Sequence, residues 1–368
     1  MSVSGFRTVE APPLSLFPAR TIWNLALNNQ LAVPPAYDHD HVYFGIAGDR
    51  LVSYTIAEGE QQWIVDAKPL QQPAVGGDLV FTSEPDELVA RSAGDGSVAW
   101  RKPLPDPLSA PPLWSGGWLV VITAGGTVLT FRASDGELVW QKDVQSPAHA
   151  MLAQSEDRVY VPTEDGRVVA LRIDTGEPLW ERRLGGTADD MTIADERLYV
   201  GSKDNFLYCL MLKDGRVDWR WRTGGDVIGV PAVDEHHIYF VSLDNVMRSL
   251  DRITGAQQWM RPLPVRPVWG PVAVVDKLIV GGQSATLHAF NMKDGTAGDK
   301  LEVGADVAAP PRRVSDAGAM LPVLFVVTRD LAKGAAARLV TRRLEPQATP
   351  LADPLPNVIK MSQGATTR

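Results

Sequence analysis

The chain has 368 residues, a formal charge of −8 and an isoelectric point near 5.3, with 45% hydrophobic and 22% charged residues, the composition of an ordinary globular protein. The acidic balance excludes general nucleic-acid binding, which needs a basic stripe. A single cysteine, Cys209, excludes an intrachain disulfide, and no apolar run approaches the roughly 18 residues of a helical membrane span.

In chain order, residues 1–18 read as an N-terminal tail without a charged-then-apolar leader or a lipid-acceptor cysteine. Ala19 to Leu27 then reads as a strand carrying Trp23. From there tryptophan recurs: Trp23, Trp63, Trp100, Trp140, Trp180, Trp219 and Trp259 are separated by 40, 37, 40, 40, 39 and 40 residues. Around them one phrase repeats, as in Ser134-Asp-Gly-Glu-Leu-Val-Trp140, Asp174-Thr-Gly-Glu-Pro-Leu-Trp180 and Ile253-Thr-Gly-Ala-Gln-Gln-Trp259. The glycine of each phrase suits a hairpin turn with positive φ. About 20 residues before most of these tryptophans lies a β-branched and aromatic strand, from Val42-Tyr-Phe through Val159-Tyr-Val to Ile238-Tyr-Phe, and an eighth copy comes at Leu324-Phe-Val-Val. Small residues and prolines, as in Val33-Pro-Pro-Ala and Gly229-Val-Pro-Ala, mark the first strand of a unit.

Each unit therefore reads as four short antiparallel strands in about 40 residues, the size of a propeller blade. No segment keeps a 3.6-residue apolar period, so almost no helix is expected. The eighth unit ends after Ala337 to Arg343 without a fourth strand, while Ala19 to Leu27 is a fourth strand without a unit. The expectation is a closed all-β propeller of eight blades over residues 19–345, its last blade completed by the N-terminal strand through pairing with Ala337 to Leu344. Residues 346–368 form a second tail. The tails read either as flexible ends or as arms that order on a partner.

The period also reassigns tempting motifs. Asp38-His39-Asp40-His41 looks like a metal cluster, but it aligns with Asp234-Glu235-His236-His237 in a turn before the second strand, and no third ligand stands at metal spacing. Asp165-Gly166, Asp204-Asn205 and Asp244-Asn245 fall in the next turn and read as Asx-type hairpins. Cys209, in Leu207-Tyr208-Cys209-Leu210, reads as a small hydrophobe of a buried strand.

No nucleophile stands beside an identifiable base, so no catalytic residue is assigned. Loops between blades and loops joining second to third strands share one face of a propeller, around the channel mouth, where ligand and partner sites concentrate. Here they offer His149, Asp189, Asp190, Lys203, Asp204, Asp226, Arg266 and Trp269 as binding candidates. Arg266 and Trp269 are interface-anchor types, with Trp269 stiffened between Pro267 and Gly270-Pro271; the other reading of Trp269 is a plug of the channel. Trp221 reads as inter-blade packing.

The phrase Leu171-Arg-Ile-Asp174-Thr-Gly176-Glu-Pro-Leu-Trp180 resembles the tryptophan-docking repeat of the pyrroloquinoline-quinone (PQQ) superfamily of eight-bladed propellers, over roughly residues 20 to 345. One branch, the quinoprotein dehydrogenases, implies PQQ over the channel with calcium or a lanthanide, a catalytic Asp and, in many members, an adjacent cysteine pair, which one cysteine cannot supply. The other branch, similar in length, repeat number and closure, is that of the BamB lipoproteins of outer-membrane assembly. That layout implies a non-catalytic scaffold without cofactor or metal, binding another protein of an envelope or membrane-associated complex; the alternative is a PQQ-dependent dehydrogenase or another small-molecule-binding propeller. The scaffold layout also implies the periplasm, or the periplasmic face of the outer membrane, for a chain whose leader has been removed. The seventh unit departs from the repeat, since Asp294-Gly-Thr-Ala-Gly-Asp-Lys300 has no tryptophan.

Overall fold

The computed structural model describes residues 15–314, 322–330 and 332–343. These contain no helix. Their strands form eight antiparallel sheets, seven of them four consecutive strands each, as in Gln61–Asp66 outermost of blade 1 and Ala36–Tyr37 innermost. The eighth sheet has a split inner strand, Asp306–Val307 and Arg312–Val314, then Val323–Asp330, Gly334–Arg342 and, outermost, Ala19–Ala26. The N-terminal strand thus completes the last blade. Its register runs from Ala19 opposite Arg342 to Ala26 opposite Ala336. The partner strand begins earlier than its sequence suggests, at Gly334, because the alanine run Ala335–Ala337 extends the ladder rather than the turn; Leu344 lies outside the described residues.

Burial follows position within the blade. Second and third strands are sandwiched on both faces between neighbouring blades, so they are apolar almost throughout, as in His41–Ile46 and Arg167–Arg172. Outer strands alternate and face water on one side. The core is therefore a set of seams. Between blades 2 and 3, Phe81, Leu88, Ala90 and Trp100 pack against Leu119, Val121, Leu129 and Phe131.

The repeat phrase explains how a seam is fastened. Every repeat tryptophan sends its indole N–H across to a main-chain carbonyl of the following blade: Trp23 to Ile56 and Ala57, Trp63 to Ala93, Trp100 to Ala133, Trp140 to Ile173, Trp180 to Leu212, Trp219 to Arg252 and Trp259 to Met292, at 2.8–3.3 Å. Its ring lies against the glycine of the next hairpin. At Gly176 (φ 71°) a Cβ would stand 2.5 Å from the ring of Trp140, so the position needs glycine for both its conformation and its space. Trp63, Trp100 and Trp259 are buried, while Trp23, Trp140, Trp180 and Trp219 are half-buried. Trp221 packs with Trp219 in the seam between blades 5 and 6.

The absence of a tryptophan from the outer strand of blade 7 has a topological reason. Lys300 pairs with His288 and Ala297 with Phe290, just as Met260 pairs with Arg248 and Gln257 with Leu250, so Asp299 occupies the register of Trp259. A tryptophan there would need a hairpin between the third and fourth strands of blade 8. That blade has none, because its fourth strand comes from the other end of the chain. Residues 15–18 sit at this seam instead: Leu16 and Phe17 are buried, so this stretch of the expected tail belongs to the folded body. The rest of both expected tails lies outside the described residues.

Candidate functional site

The face bearing the inter-blade loops is tied together by side-chain clasps. Asp106 accepts from the Gly125 N–H, and Asp244 accepts from the Gly224 N–H at 2.9 Å, each linking an inter-blade loop to a second-to-third-strand hairpin. The hairpin positions Asn205 and Asn245 have positive φ, as Asx-type turns allow. Asp204 belongs to this system. Its Oδ2 accepts from the Tyr208 hydroxyl at 2.5 Å, and it packs on Gly185 of the loop entering blade 5. Asp226 contributes its main-chain carbonyl to the Leu243 N–H at 2.9 Å.

Within that face the inner ends of blades 4 to 8 line an open cavity of about 680 Å³. It gathers five of the eight candidates, His149, Asp189, Asp190, Lys203 and Trp269; Asp204, Asp226 and Arg266 stand outside its lining. Asp189 and Asp190 are not loop residues. They lie in the strand Ala188–Ala194, at an irregularity of pairing between Ala188 and Met191 that turns adjacent side chains toward the channel. Asp190 accepts from the Met151 N–H at 3.3 Å, and Asp189 accepts from the Asp190 N–H at 2.8 Å. Burial, reinforced by the neighbouring Asp189 charge, pushes the Asp190 carboxyl up to about 6, against smaller opposing pulls from the Met151 N–H and from His149.

Trp269, open in the sequence between an interface anchor and a channel plug, packs as an interior residue. It is 6% exposed and forms the wall of the cavity. Its ring turns inward onto Gly281, where a Cβ would stand 2.6 Å from it, and its indole N–H is buried without a hydrogen-bond partner. Arg266 is exposed, and its main-chain carbonyl lies over Gly282. The two side chains therefore do not form one patch. The anchors that residue type did not reveal are aliphatic: Met151, Val230 and Val268 line the same cavity while remaining 42%, 44% and 47% exposed. Their sequence signal was faint, a valine beside proline in Gly229-Val-Pro and in Pro267-Val-Trp269. Gly229 (φ 66°) and Gly270 bring the Val230 and Val268 segments together, since these two backbones touch where any Cβ would clash within 2.1 Å.

The remaining motifs are structural. Asp38 accepts from the N–H groups of Asp40 and His41 and from the Tyr43 hydroxyl, and Asp234 repeats the pattern with His236, His237 and Tyr239. Both carboxyls are held below the usual range because these hydrogen bonds outweigh their burial. Among the described residues no group of three His, Cys, Asp or Glu side chains is arranged to hold a metal ion. Cys209 is buried in the third strand of blade 5, and desolvation pushes its thiol up to about 12, the state of a packing residue. No helix among the described residues is long and apolar enough to cross a membrane.

A closed ring of eight four-stranded blades, fastened by docking tryptophans around a lined channel mouth, defines the class of PQQ-type propellers. Within it, the family model described as outer membrane protein assembly factor BamB matches residues 67–193 and 184–326, and the chain belongs to that family. No curated protein matches the sequence. Among solved structures, BamB from Moraxella catarrhalis superposes with a TM-score of 0.71 at 20% identity, covering 87% of this chain and 97% of that one. A europium-containing methanol dehydrogenase gives 0.73 at 11% identity, covering 90% and 95%. Sqt1 of Saccharomyces cerevisiae gives 0.71 at 12% identity, covering 86% and 98%. At these identities the likeness is one of fold.

Proposed function

We propose that the chain is a non-catalytic, protein-binding scaffold of the bacterial cell envelope, working on the periplasmic side with another polypeptide seated on the channel mouth. The observation that carries the reading is the exposed aliphatic trio Met151, Val230 and Val268. It comes from three different blades, converges on one cavity and is bordered by His149, Asp189, Asp190 and Lys203. An apolar centre with a polar border is the anatomy of a protein interface, and single valines on rigid, glycine-locked backbone lose little entropy on binding. The family description, an outer-membrane assembly factor, supports the compartment and the kind of partner.

The cavity suits PQQ chemistry poorly. The quinoprotein layout sets a calcium or lanthanide ion beside the quinone, whereas among the described residues no group of three His, Cys, Asp or Glu side chains is arranged to hold a metal ion. This favours a scaffold over a dehydrogenase.

A photoreactive amino acid placed at Val230 or Val268 tests the reading in intact cells, with Ile253, exposed on the opposite face, as control. A distinct polypeptide adduct is expected from the two channel-mouth positions and not from Ile253, and it should weaken with Met151→Glu. Equal adducts from all three positions, or none from Val230 and Val268, would remove this face as the docking site.

A further inference from the structure

We infer that residues 15–18 are a strap that fastens the seam between blades 7 and 8 in place of the docking tryptophan that blade 7 lacks, and that this seam is where the ring opens. Seven seams carry a tryptophan whose N–H reaches the next blade; the eighth has Asp299 at that register and no hairpin beyond it to receive a ring. Leu16 and Phe17 fill the apolar space there. They cluster with Ile279 and Leu287 of blade 7 and Leu324 and Val326 of blade 8. The polar fastening is reversed in sense. Instead of an indole donating to a carbonyl, the guanidinium of Arg342 donates to the carbonyls of Ser15 and Phe17, and the Arg343 N–H donates to the Pro18 carbonyl at 2.6 Å. Arg342 lies where blade 7 has Met292, the acceptor for Trp259, relative to each third strand.

The difference between a tryptophan and a strap is mechanical. Each docking tryptophan is carried on an outer strand and locked by the next hairpin, so it leaves only when a blade unfolds. The strap is a short segment ahead of an edge strand, held by two apolar side chains and main-chain carbonyls, and such elements open at lower free energy than the core. Trp269 belongs to the same apolar cluster as Leu16 and Phe17. Seam and channel wall therefore share one close-packed core, in which a loss of volume at one end is felt by its neighbours.

Hydrogen exchange on the full chain tests this. In a Leu16→Ala, Phe17→Ala variant, amides of Lys277–Val280, Thr286–Asn291 and Val323–Asp330 should exchange at least about tenfold faster at native pH, with blades 3 and 4 unchanged. Acceleration spread evenly over all blades, or none, would overturn the inference. If the double variant does not fold, Arg342→Gln, which removes the strap's fastening while leaving the apolar core, must show the same local pattern; exchange like wild type would refute it. With fluorotryptophan incorporated, the resonance assigned through Trp269→Phe should shift in the strap variant while that of Trp140 stays. An unmoved Trp269 signal would refute the shared core.

Discussion

Trp180 shows what one repeat residue does. Its half-buried ring stacks at a tilt on Tyr160, 5.7 Å between centroids, and its N–H donates to the Leu212 carbonyl at 2.8 Å. Removing a large aromatic from a core costs about 3–5 kcal/mol, and partial exposure places Trp180→Ala near the lower figure. Trp180→Phe keeps most of the packing but orphans the Leu212 carbonyl only in part, since Arg158 also donates to it; a loss of about 1 kcal/mol is expected. Denaturant melts that found the two variants equal would show that the hydrogen bond, not the ring, fastens the seam. Asp190 gives a second residue-scale prediction. Its carboxyl is raised to about 6 in the fold, so the fold favours the protonated form. The corresponding stability is fully present below the ordinary carboxylate range and is lost as pH rises through about 6. Asp190→Asn should flatten the melting profile between about pH 4 and 6 and raise stability at neutral pH; an unchanged profile would mean the carboxyl is solvated.

At the scale of elements, the strands, hairpins and closure were readable because each rests on a period. A tryptophan every 40 residues, a glycine at each positive-φ turn and a surplus fourth strand at the N-terminus leave one ring. Features without a period were not readable. Leu16 and Phe17 look like tail residues, because nothing local says that a seam 300 residues away lacks its tryptophan. Asp189 and Asp190 looked like loop residues, because a pairing irregularity lets a strand present neighbouring side chains to one side. Trp269 was an ambiguous anchor or plug for a similar reason: its direction is decided by Gly281, a residue of the facing hairpin whose missing side chain makes the pocket for the ring. Five of eight candidate residues meet at one cavity because the inner ends of the blades, strand or loop, recur around the channel.

For the whole molecule, closure settles two things at once. It covers the open edge of Gly334–Arg342, which would otherwise invite pairing, and it brings the inner ends of five blades around one mouth whose aliphatic centre no single blade could build. The central claim is that this mouth seats another polypeptide of the cell envelope. The most direct measurement is recovery of bound protein from native membranes by tagged wild type and by a Val230→Glu, Val268→Glu variant. Both positions are exposed, so the variant should melt at the wild-type temperature and lose its specific partner. A variant that melts with wild type and still recovers the same partner in the same yield would contradict the account.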